Sequence, residues 1–67
     1  MLIHHFLRAI QEKGKYTDEQ VVTFLWLVLH HDPTHTAEAK CAVRQFRKPT
    51  AEAIIFLAES ILVAKIE

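Results

Sequence analysis

Five histidines, one cysteine and a run of four closely spaced cations are the side chains of this 67-residue chain whose types suit chemistry. His4 and His5 stand near the start, His30 and His31 form a second pair, and His35 follows closely. Neutral imidazoles ligate zinc, and imidazole titrates near neutral pH. A pole that gathered His4, His5, His30, His31 and His35 would therefore suit a metal ion or a pH-sensitive contact. Such a pole needs the helices bearing the two pairs to form an antiparallel hairpin. Adjacent residues on a helix point about 100° apart, so neither pair puts two ligands on one face. No carboxylate–histidine spacing resembles a catalytic zinc motif either. The expectation is no metal and no cofactor.

Cys41 lies beside Lys40 and three residues before Arg44, and neighbouring cations lower a thiol's pKa. Its nearest histidine, His35, is off its face, so the local sequence builds no Cys/His nucleophile pair. Ser60 next to Glu59 has no local base, and the carboxylates are scattered rather than paired for acid–base work. The single glycine, Gly14, rules out a Gly-rich phosphate loop. No catalytic residue is assigned, and the expected protein is not an enzyme.

The cations Lys40, Arg44, Arg47 and Lys48 share one side of a helix and form the candidate partner-binding face. Such a face can grip phosphates or an acidic protein. The same residues near a helix C-terminus also favour the helix dipole without any partner. Eight Lys and Arg balance eight Asp and Glu, so no net charge draws the chain to nucleic acid or an anionic membrane.

The elements that position these residues are all helical. Ile3, Phe6, Leu7 and Ile10 recur at i, i+3, i+4 and i+7 and define a first helix over about 2–13, stopped by Gly14. Thr17 with Gln20 is a capping-box signature opening a helix over about 18–31, which Asp32-Pro33 ends. Thr36-Ala37-Glu38-Ala39 and Thr50-Ala51-Glu52-Ala53 repeat one string. Each reads as a Thr cap followed by a carboxylate near the positive end of the dipole. They open helices over about 36–47 and 50–66. No segment alternates like a strand, and Gly and Pro fall only at the breaks. The fold class is all-α: four short helices in one domain over 1–67.

The first and third helices are ordinary amphipathic ones, the third carrying Ala39, Ala42, Val43 and Phe46 on one face. The second and fourth differ. Val21 to Leu29, and Ile54 to Ile66 with few interruptions, place apolar side chains in nearly every direction, the pattern of a helix buried all round. At 67 residues, and with a hydrophobic fraction of 51%, one small core cannot cover both. The expected solution is a compact bundle closing as an intertwined or face-packed homodimer. Its interface would draw on Val22, Trp26, Leu27, Leu29, Ile55, Phe56, Leu62 and Val63. The apolar runs are too short, or too interrupted by Glu59, to span a bilayer, and the opening residues lack a signal-peptide pattern. A cytoplasmic protein is expected.

Two functional classes follow. The first is a small helical homo-oligomer that acts by binding another protein, as regulator, adaptor or inhibitor. The second is a dimeric nucleic-acid-associated regulator using the basic face of the third helix. A helix-turn-helix reading is disfavoured. The helices after the breaks at Gly14 and Pro49 lack the polar face that reads base edges.

Overall fold

A computed structural model describes residues 2–12 and 14–66. Four α-helices follow one another: α1 (Leu2–Gln11), α2 (Asp18–His31), α3 (Thr36–Phe46) and α4 (Ala51–Ile66). No strand occurs among the described residues. The all-α bundle expected from the spacing is the fold found, with helix boundaries close to those read from the sequence.

Local chemistry explains where each helix begins. Thr17 is the N-cap of α2: its Oγ1 accepts from the Gln20 backbone N–H at 3.2 Å. The Gln20 side chain in turn accepts from the Thr17 N–H at 2.9 Å, completing the capping box. The two Thr-Ala-Glu-Ala strings behave differently from expectation. Thr36 is already helical, the residue before it makes no side-chain cap, and Thr36 Oγ1 donates back to the Pro33 carbonyl at 2.8 Å. Thr50 Oγ1 likewise donates back to the Arg47 carbonyl, at 3.0 Å. Both hydroxyls satisfy a carbonyl of the preceding turn, because a 3₁₀ turn at Pro33–His35 and the Arg47–Thr50 connection present one at the right distance. Gly14 has φ +77°, the left-handed conformation that glycine alone adopts cheaply. It lies in the turn rather than at the helix end, since α1 stops at Gln11; Lys13 lies outside the described residues.

The core draws on all four helices. Ile3, Phe6 and Ile10 come from α1, Val21, Val22, Leu25, Val28 and Leu29 from α2, Ala39, Ala42 and Val43 from α3, and Ala51, Ile54, Ile55 and Ala58 from α4. The first and third helices are amphipathic, as their spacing predicts. They contribute a face each, and those faces cover much of α2. The most extensive helix contact is between α2 and α4. The four small alanines let the backbones approach closely, which is how so short a chain covers its second helix. The accessible surface of 4552 Å² is near the roughly 4,400 Å² that scaling gives for a folded monomer of this mass.

Candidate functional site

The most exposed large apolar residues lie on one helix, α4. Leu2 of α1 and Phe46 of α3, the latter expected on an apolar face, are less so, at 36% and 39%. On α4, Ala51, Ile54, Ile55 and Ala58 point into the core, and Ile61 and Leu62 are partly covered. On the opposite side Ala53, Phe56, Leu57, Ser60, Val63 and Ala64 are all exposed, at spacings i, i+3, i+4, i+7, i+10 and i+11. That is a continuous stripe along the helix. Its three large members are 69% (Phe56), 50% (Leu57) and 56% (Val63) exposed. A lone exposed apolar residue is ordinary, whereas a contiguous stripe makes this face the candidate interaction surface.

The candidate interface residues therefore divide. Phe56 and Val63 are surface residues. Trp26, Leu27 and Leu62 are half-buried. Val22, Leu29 and Ile55 are buried within the single chain and are core residues rather than surface ones. They were indistinguishable in the sequence because each lies in an unbroken apolar run, where periodicity cannot say which side faces inward. Leu57 belongs to the stripe and was missed for the same reason. The polar signal that marks the outward side is Ser60, together with the carboxylates flanking it.

Those carboxylates also pair with the basic face. Lys40 Nζ meets Glu59 Oε2 at 3.0 Å, and Arg44 Nε meets Glu52 Oε1 at 2.8 Å, two pairs that run from α3 to α4. The order of the partners, rising on α3 and falling on α4, shows that the two helices are antiparallel. Arg47 Nη1 meets Asp18 Oδ1 at 3.3 Å, and its Nη2 donates to the Tyr16 carbonyl at 2.9 Å. Three of the four cations are thus engaged with carboxylates of their own chain, and Arg47 is largely withdrawn from solvent. Lys48 is exposed and makes no ion pair among the described residues. The three pairs run from α3 to α4 and from the end of α3 to the start of α2.

The histidines do not assemble. No group of three His, Cys, Asp or Glu side chains placed to hold a metal ion exists among the described residues. His30 stacks on Trp26 with ring centroids 5.8 Å apart and makes an edge contact with His31 at 4.7 Å. His35 Nδ1 is 2.8 Å from Asp32 Oδ1, which also accepts from Thr34 Oγ1 at 3.3 Å. A carboxylate only accepts, so the His35 proton sits on Nδ1. This hydrogen bond holds the Asp32 carboxyl below the ordinary aspartate value. His4 and His5 are exposed on α1. Cys41 is exposed on α3.

No helix among the described residues is long and apolar enough to cross a membrane. Comparison with protein-family models, with curated proteins and with solved structures finds no match.

Proposed function

We propose that this protein is a small helical homodimer, joined through the outer stripe of α4, that acts by binding another protein rather than by catalysis. The observation carrying the reading is the row Phe56, Leu57 and Val63, exposed on a helix whose opposite face fills the core. A second copy is the occupant this stripe suits, because its large residues are flanked by the small residues Ala53, Ser60 and Ala64. In an antiparallel crossing centred on Ser60, Phe56 of one chain falls opposite Ala64 of the other, and Leu57 opposite Val63. Phe56 then meets a small residue, Leu57 packs on Val63, and the interface is closed by its two-fold axis. Electrostatics permit the approach. Glu52 and Glu59, which flank the stripe, are each paired to an α3 cation, so two copies bring little uncompensated like charge together.

The pairing of Lys40, Arg44 and Arg47 with carboxylates favours this reading over a nucleic-acid-binding one. Cations held by carboxylates release few counterions on binding phosphates. A cytoplasmic location fits the reading, as does a role as regulator, adaptor or inhibitor. In that role the dimer offers two copies of its remaining surface to a protein partner.

Light scattering over a wide concentration range tests the assembly. Wild-type protein should show twice the chain mass, dissociating on dilution, while Phe56→Lys should be monomeric with its helical circular dichroism intact. A wild-type mass of one chain at all concentrations would refute the proposal.

A further inference from the structure

A cleft of about 270 Å³ opens between α1 and the α2 side of the bundle, on residues that play no part in the α4 stripe. Two rows of α1 line it. Leu2, Phe6 and Ala9, at i, i+4 and i+7, form the inner row, and His5, Arg8 and Glu12, at i, i+3 and i+7, form the rim. Phe24 and Val28 of α2 close the far wall, with Tyr16 from the connecting turn. The Tyr16 and Phe24 rings meet edge-on, with centroids 5.1 Å apart and planes at 85°. Phe6, Tyr16 and Phe24 therefore give the cleft three aromatic walls, and Ala9 is the small residue that leaves the space open.

The rim carries one uncommitted cation. Lys15 Nζ is 2.9 Å from Glu12 Oε2 and sits 5.7 Å from the Tyr16 ring centroid, so its charge is matched within the rim. Arg8 has no ion-pair partner among the described residues and stands on the same rim. An apolar, aromatic-walled cleft with a small number of placed polar groups is the usual form of a small-molecule site. A guanidinium at its edge selects a planar anion that can take two parallel hydrogen bonds.

We infer that this cleft binds a small aromatic monocarboxylate, its ring set among Phe6, Tyr16 and Phe24 and its carboxylate on Arg8. The ring completes the edge-to-face cluster begun by Tyr16 and Phe24. The volume suits one substituted ring with a short side arm. This inference stands apart from the proposed self-association.

An NMR titration of isotopically labelled full-length protein tests it, with 3-phenylpropionate as probe and the neutral 3-phenylpropanamide as its match. Shifts should concentrate on α1, Tyr16, Phe24 and Val28, with the carboxylate binding about threefold to tenfold more tightly than the amide, as a solvent-exposed charged contact allows. Arg8→Gln should erase that preference while leaving weak binding of both probes. Ala9→Leu fills the cleft and should abolish binding of both. If that variant loses its fold, the Arg8→Gln comparison decides alone. Absence of saturable shifts in the wild-type protein, equal affinity for the two probes, or shifts centred on another part of the bundle would overturn the inference.

Discussion

Arg47 and Asp18, 29 positions apart in sequence, meet at 3.3 Å, and the same guanidinium donates to the Tyr16 carbonyl at 2.9 Å. One side chain thereby ties the end of α3 to the start of α2. Arg47 is 15% exposed and Asp18 50%, so the contact to the Tyr16 carbonyl is the shielded one and the Asp18 pair is closer to an ordinary surface pair. Arg47→Ala removes two charge-assisted hydrogen bonds and leaves a partly buried carbonyl without its donor. The expected loss in urea unfolding is about 1–3 kcal/mol. Arg47→Lys should recover only part of it, because an ammonium lacks the planar fork that reaches both acceptors.

Thr17 and Thr50 both precede helices, yet only the Thr17 hydroxyl accepts from a backbone N–H of the helix that follows. Thr17→Ala should cost about 1 kcal/mol in thermal or urea unfolding. Thr50→Ala removes a donation to the Arg47 carbonyl instead and should cost less than half as much. Equal losses would mean that the two hydroxyls play the same part.

Asp32 carries the clearest pH dependence. Hydrogen bonding to His35, the larger cause, and to Thr34 holds its folded-state value below that of the unfolded chain. A depressed carboxyl contributes stability that is fully present above the unfolded value. That contribution fades as pH falls from there through the folded one. Asp32→Asn should therefore lower stability at neutral pH and flatten the acid limb of the unfolding curve, with the two proteins converging at the lowest pH. Urea midpoints measured across the acid range check this, and parallel curves for the two proteins would contradict it.

The helices were legible in the sequence because their signals are local. Periodic Ile3, Phe6 and Ile10, the Thr17–Gln20 box and the Pro33 and Pro49 breaks each act within a few residues, and the structure places helix ends beside all of them. The orientation of α2 and α4 was not legible, because a helix apolar in every direction carries no wheel from which to read an inward side. Only the packing of α4 against α2 and α3 sorts Ile55 inward and Phe56 outward. The basic face shows the same limit. Lys40, Arg44 and Arg47 align on a wheel, but the carboxylates that engage them lie 19, 8 and 29 positions away. Spacing along one helix cannot reveal them. The cleft beside Arg8 was hidden for a similar reason, since Tyr16 and Phe24 reach it from outside α1.

The proposal that α4 pairs with α4 of a second copy is tested most directly by an isotope-filtered NOE measurement on a mixture of labelled and unlabelled chains. Contacts between chains should link the Phe56 ring to the methyl of Ala64, and the Leu57 methyls to those of Val63. Such contacts should vanish in Phe56→Lys. If no contacts between chains appear at concentrations where the mass is that of two chains, or if they map to α1 or α3, then the outer face of α4 is not the interface.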